Sequence, residues 1–156
     1  YKHDSLTILD FGAEGKSTEE DFNRVMEETM RAVEFAASND SVPVVSTKIT
    51  GLIDNDVLIQ LQEGKDPSES EVWAYDQMVE RVDKICSRAA ELKVGVFVDA
   101  EESWLQEPID TLVMMMMERY NHEKVIVYNT YQLYRHDKLA QLKEDHHYAH
   151  SIETSS

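Results

Sequence analysis

The sequence predicts an α/β fold built from parallel βα units. Three observations carry this. Four short apolar runs rich in Val and Ile show almost no polar alternation, which is how parallel strands covered on both faces read. A helical pattern follows each run. Successive runs start about 30 to 50 residues apart, room for a crossover helix each time. The order β-α-β-α-β-α-β-α then means one parallel sheet, either doubly wound or curled toward a barrel.

The first strand is expected over Leu6–Asp10 (LTILD). Ser17-Thr-Glu-Glu20 then reads as a capping box, with Ser17 capping the Glu20 N–H. Phe22, Val25, Met26, Met30, Val33 and Ala37 share one face of the helix that follows. The second strand is expected over Val42–Lys48 (VPVVSTK). The stretch Gly51–Pro67 after it reads as a loop with one short helix, Val57–Gln62, at the end of the strand where barrel enzymes build their sites. A long helix from Glu69 to Leu92 has Val72, Tyr75, Val79, Val82, Cys86 and Ala89 in phase. The third strand is Val94–Ala100 (VGVFVDA). Pro108 suits the first position of the next helix, whose inward face would be Leu112, Met115, Met116 and Tyr120. The fourth strand is Lys124–Asn129 (KVIVYN), and a last helix starts near His136 with Leu139 and Leu142 inward. Asp145–Ser156 reads as an irregular polar tail. Residues 1–156 are expected to form a single domain of about four βα units.

Bulk properties narrow the function classes. A formal net charge of -16 argues against nucleic acid and against an electrostatic grip on an acidic membrane. The lone cysteine, Cys86, excludes an intrachain disulfide and falls in an apolar helical phase, so a buried thiol is expected. No apolar run reaches the roughly 18 residues of a transmembrane segment. No signal peptide is visible, and the start at Tyr1 suggests a trimmed terminus. A reducing, cytoplasmic compartment is the expectation.

Chemistry is expected at the strand C-termini. There the sequence places Asp10 and Glu14, then Ser46, Thr47 and Lys48, then Asp99, Ala100, Glu101 and Glu102, then Asn129, Thr130, Tyr131 and Gln132. Lys48 reads either as an anion anchor or as a solvated loop lysine. Asp99 could pair with Lys48 or serve as a strand-end turn. Glu101 and Glu102 could extend Asp99 into a hard-metal site for Mg²⁺, or form a solvated edge. Arg135 and His136, just past the fourth strand, could cap or line a site, and Trp104 could line a loop pocket or simply pack. His146 and His150 share a helix face but lack the H-E-x-x-H pattern, so a solvated surface is the plainer reading. Met114–Met117 read as core filler. No G-x-G-x-x-G or Walker loop follows a strand; Gly12 and Gly15 have the wrong spacing.

At these strand ends the sequence resembles a known family. Phe97-Val-Asp-Ala-Glu-Glu-Ser-Trp104 and Val127-Tyr-Asn-Thr-Tyr-Gln-Leu-Tyr-Arg-His-Asp137 resemble strands three and four of the flavin-dependent proline dehydrogenases. Ser46-Thr-Lys-Ile-Thr-Gly51 is similar to their strand two, and Ile8-Leu-Asp-Phe-Gly-Ala-Glu-Gly15 to their strand one. The resemblance spans roughly residues 5 to 145. It implies the first half of a (βα)8 TIM-like barrel that holds FAD and oxidises L-proline to Δ1-pyrroline-5-carboxylate. Hydride passes to the flavin, and a quinone or other acceptor takes the electrons. By position, Lys48 and Asp99 would be catalytic. Lys48, Asp99, Ala100, Asn129 and Gln132 would contact the cofactor, with Asn129 standing where many relatives carry a glutamine. The resemblance also implies a protein without a transmembrane segment, cytoplasmic or peripheral at the inner membrane, mitochondrial in a eukaryote.

The family's fifth strand and last helix, which carry arginines for flavin and substrate, have no counterpart after Gln141-Leu-Lys143. The chain alone is therefore expected to be inactive and to need the C-terminal half of the barrel. Two other readings stand beside this one. One is a metal-dependent barrel enzyme using Asp99, Glu101 and Glu14. The other is a non-catalytic piece that assembles with another chain.

Overall fold

The computed structural model describes residues 5–11 and 17–153. Four strands, β1 (Ile8–Asp10), β2 (Val44–Thr47), β3 (Gly95–Val98) and β4 (Val127–Asn129), form one parallel sheet in the order β1-β2-β3-β4. Between and after them lie α1 (Glu19–Ala37), α2 (Asn55–Gln62), α3 (Glu69–Leu92), α4 (Gln106–Tyr120) and α5 (Lys138–Glu153). The α/β class and all four strands are as the sequence predicts.

The strand order decides between the two sheet architectures. Each connection steps one strand over in the same direction. Right-handed crossovers then place the connecting helices on one face. A doubly wound sheet would need a reversal of order, and none occurs among the described strands. Burial agrees. The register row Leu9, Val45, Val96, Val127 faces the helices, and the last three are buried. The alternate rows, Ile8-Val44-Gly95 and Asp10-Ser46-Phe97-Tyr128, line the other face. Ile8 is 53% exposed there. Phe97 and Tyr128 meet edge to face at 4.7 Å on that side.

Caps explain the helix bounds and correct several expectations. α1 is capped one residue later than Ser17: extended Thr18 accepts the Asp21 N–H at 3.2 Å and donates its hydroxyl to Asp21 at 2.9 Å. The run Ser-Thr-Glu-Glu-Asp offers both frames, and the second also seats Asp21 for Arg24. A full capping box occurs instead at Ser68 and Glu71, at the head of α3. That helix ends where Lys93 turns left-handed at φ 59°. Val72 is in phase but exposed. At 1.5 Å per residue α3 is about 36 Å long and overhangs the four-residue strands it covers. Pro108 is the third helical residue of α4, where the backbone N–H would still lack an intrahelical partner. Of the α4 face, Leu112 and Met116 are buried, and Met115 and Tyr120 pack partly buried against the core.

α5 departs most. Leu139 is exposed, and the buried residue of its first turn is Lys138. The helix continues through Asp145 to Glu153, over most of the stretch read as an irregular tail. No Gly or Pro interrupts this stretch. Tyr131 donates to Asp145 at 2.6 Å and Tyr148 to Glu118 at 2.8 Å, which pins the helix to its neighbours. Residues 154–156, like Gly12, Glu14, Gly15 and Gly15's neighbour Lys16, lie outside the described residues.

Candidate active site

The C-terminal ends of the strands open onto a cleft of about 890 Å³. Parallel strands leave their ends to loops at one rim, and the loops after β2, β3 and β4 each contribute a wall. Lys48 and Thr50 come from the loop after β2, and Asn55 from the head of α2. Ala100, Glu101, Glu102 and Ser103 come from the loop after β3. Gln132 and Tyr134–Asp137 come from the loop after β4.

The loops are fastened to one another through Glu101. Its carboxylate accepts the Thr50 N–H at 3.1 Å and the Thr50 hydroxyl. Its backbone N–H donates to Gln106 at 2.6 Å, and its carbonyl accepts from Gln132 at 2.8 Å. Burial pushes the Glu101 carboxyl above its ordinary value, against the pull of the Thr50 hydrogen bonds and the Lys48 charge. On the far wall Arg135 forks onto Asp137 with bonds of 3.1 and 2.6 Å, which holds the Asp137 carboxyl down at about 2. The cleft thus mixes Lys48, Arg135 and His136 with Glu101, Glu102 and Asp137.

Of the residues singled out in the sequence, Lys48, Ala100, Glu101, Glu102, Gln132, Arg135 and His136 line one cleft. Asp99 does not line it. Its N–H closes the ladder on the Thr47 carbonyl at 3.0 Å, and alternation from Phe97 turns its side chain toward the helix-free face. Asn129 is not among the residues of the cleft wall. It shares a register row with Val98, on the helix side, and its amide donates to Asp110 of α4 at 3.1 Å. Its oxygen accepts the Thr130 N–H at 2.8 Å. Trp104 is exposed and lies outside the cleft wall. The metal reading gains no support: no three His, Cys, Asp or Glu side chains among the described residues come together to hold an ion. The Glu101 oxygens are already engaged by Thr50. Glu14 lies outside the described residues.

Two buried polar centres went unread in the sequence. Asp110 accepts from Lys138 at 2.7 Å, Gln106 at 2.9 Å, Gln141 at 2.9 Å and Asn129. It ties α5 and β4 to α4. Arg81 of α3 is 3% exposed; it reaches Glu19 and Asn23 of α1 and the Leu52 carbonyl behind the Lys48 loop. A signal for both existed. Asp110 stands in phase with Gln106 and Val113, and Arg81 with Met78 and Ile85, so each charge interrupts an apolar stripe.

A single-faced parallel sheet with a polar cleft at its strand ends defines part of a barrel-type α/β domain. The chain belongs to the proline dehydrogenase family, whose model matches residues 1–155. It is 32% identical over 137 residues to the carbapenem antibiotics biosynthesis protein CarD of Pectobacterium carotovorum, covering 88% of this chain and 36% of that protein. It is 37% identical over 79 residues to mitochondrial proline dehydrogenase 1 of Drosophila melanogaster, covering 51% of this chain and 11% of that one. The match to the Dictyostelium discoideum mitochondrial enzyme covers 88% of this chain and 31% of that protein at 27% identity. In structure it resembles a variant of Bradyrhizobium japonicum proline utilization A, with a TM-score of 0.71, 18% identity, and coverage of 89% of this chain and 14% of that one. That likeness shows the fold, a TIM-like barrel segment. The chain spans about a third or less of the length of these relatives.

Proposed function

We propose that this chain supplies the first half of a barrel that oxidises L-proline to Δ1-pyrroline-5-carboxylate, and that its cleft receives FAD and the amino acid. The observation that carries this is the convergence of Lys48, Ala100 and Gln132 on one cleft at the strand ends. The donor set fits. The cleft is within the size of cofactor sites, it offers a cation for the proline carboxylate, and the Phe97–Tyr128 pair gives the helix-free face an aromatic floor. FAD, when bound, supplies the two-electron acceptor that the protein's own side chains lack.

The residues bind and orient. Lys48 pairs with the carboxylate of proline and holds its C5 carbon toward the cofactor. Ala100 presents only a methyl group, so a flat ring can approach the loop after β3. Gln132 offers an amide from the opposite wall. Asp99 stands on the helix-free side beside them. Asn129 is kept as a proposed cofactor contact from β4, with its amide also serving Asp110. The remaining barrel half completes the site, and a quinone or other acceptor takes up the electrons. Several relatives are named as mitochondrial, and no helix of the described residues is long and apolar enough to cross a membrane. The proposed location is cytoplasmic or peripheral at the inner membrane, and mitochondrial in a eukaryote.

The test is a visible spectrum under anaerobic conditions with FAD and then L-proline. It is run on the chain alone and on the protein completed by its second barrel half. The completed protein is expected to hold flavin and to lose its absorbance on adding L-proline, and the K48M variant to lose that response. The chain alone is expected to hold little flavin. A completed protein that binds flavin but ignores L-proline and its hydroxylated form would overturn the reading.

A further inference from the structure

We propose that Glu101 is a positioning residue for this cleft: its carboxylate latches the loop after β2 to the loop after β3 and so fixes the segment that carries Lys48. Its catalytic consequence rests on the FAD–proline reading, while the latch rests on geometry alone. Thr50 lies in the 3₁₀ turn Ile49–Gly51, which begins directly after Lys48. The Gly51 N–H donates back to the Lys48 carbonyl at 3.2 Å. Thr50 is held by the two Glu101 oxygens, one on its N–H and one on its hydroxyl. Glu101 cannot drift, because Gln106 of α4 grips its N–H and Gln132 its carbonyl. A short turn clamped at one residue fixes the backbone of the residue two positions earlier.

The latch has a charge as well as a shape. The charged groups that face it are Lys48 across the cleft, Glu102 beside it, and Arg135, His136 and Asp137 on the far wall. The buried native carboxyl keeps its proton to a higher pH than the unfolded one. The sign follows: ionising Glu101 costs the native state, so its contribution to stability falls as pH rises from the ordinary value of 4.5 through the native pKa.

Two substitutions separate shape from charge. In E101Q the amide oxygen still accepts the Thr50 N–H, and the Thr50 hydroxyl can reverse and accept from the amide nitrogen. E101A leaves Thr50 with neither partner. The experiment is amide hydrogen exchange and pH-dependent ¹⁵N–¹H NMR on this chain, with proline kinetics on the completed protein. In wild type the Thr50 amide shift is expected to titrate with a midpoint above 4.5. E101A is expected to speed Thr50 exchange about tenfold, the worth of one buried hydrogen bond, and to raise KM for proline more than it lowers kcat. E101Q is expected to restore both to within about threefold and to abolish the titration. If E101A loosens every strand alike, T50V decides: exchange faster at residues 49–51 alone supports the latch, and unchanged exchange there overturns it. Thr50 exchange unmoved in E101A, or E101Q as damaged as E101A, overturns it too. A latch seen by exchange in a protein that ignores proline would sink the proposed reaction and leave the latch standing.

Discussion

The two faces of the sheet are built from the same strands and to opposite ends. On the helix side, Val45, Val96 and Val127 are fully covered, and the helices set Ile85, Leu112 and Met116 against them. On the other side, Ile8 is half exposed and Val44, Phe97 and Tyr128 are only partly covered. A parallel sheet is ordinarily closed on both faces. One closed face and one open face are what a barrel wall looks like when only four of its strands are considered. Stability therefore resides on the helix side.

The largest expected effect lies in the polar centre of the helix side. Asp110 and Lys138 are both nearly buried, at 8% and 4% side-chain exposure. D110A leaves the Lys138 ammonium buried without its carboxylate, which costs about 3–5 kcal/mol. K138M is milder, because Asp110 keeps its bonds from Gln106, Asn129 and Gln141. Urea unfolding of the two variants measures this. A loss below about 1 kcal/mol in D110A would mean the pair carries no more than a surface contact, and the helix side would not be the stable one.

The comparison itself is put to the test by V96A against I8T. Val96 is fully buried, so V96A is expected to cost about 1.5–3 kcal/mol. Ile8 is half exposed, and I8T is expected to stay within about 0.5 kcal/mol. A loss above about 1 kcal/mol in I8T, outside the range of exposed sites, would mean the open face is covered in solution. The open face still has one tight point. A Cβ at Gly95 would stand 2.6 Å from Val44 Cγ1 and 3.1 Å from Tyr128 Cε2. G95A is expected to cost about 1–3 kcal/mol by overpacking, and V44A in the same chain to recover much of it. No recovery would place the strain elsewhere.

The sequence was most legible where a rule is local. The span of α3, Glu69–Leu92, follows from the apolar phase of Tyr75, Val79, Val82, Cys86 and Ala89. The strand centres follow from their Val and Ile content. The strand ends were read too long, because Val42 and Pro43 precede the ladder proper: Pro43 has no N–H to give, and its carbonyl accepts from Gly95 at 3.1 Å. Half of the cleft was legible in the residues at the strand ends, Lys48, Ala100 and Gln132 among them. What stayed hidden depends on partners distant in sequence. Nothing near Asp110 announces Lys138, 28 residues on, and nothing near Arg81 announces Glu19, 62 residues back. The side of the sheet that Asn129 takes is set by register: one step along a strand flips a side chain to the other face, and its row with Val98 faces α4.

The smallest effect in energy is the most direct in chemistry. Cys86 is fully buried on the helix side, and burial, with Asp83 adding to it, pushes its thiol up to about 12. The thiolate is the reactive form, so native Cys86 is expected to ignore an aromatic disulfide reagent near neutral pH and to react once urea exposes it. The unfolded thiol ionises first as pH rises past the ordinary value of 9.0, so any stability it contributes is lost above that pH. A cysteine placed on the open face, I8C in a C86A background, is expected to react without urea. The pair reads out the two faces chemically. Rapid native labelling of Cys86 would show that α3 lifts from the sheet, and slow labelling of I8C would show that something already covers the open side.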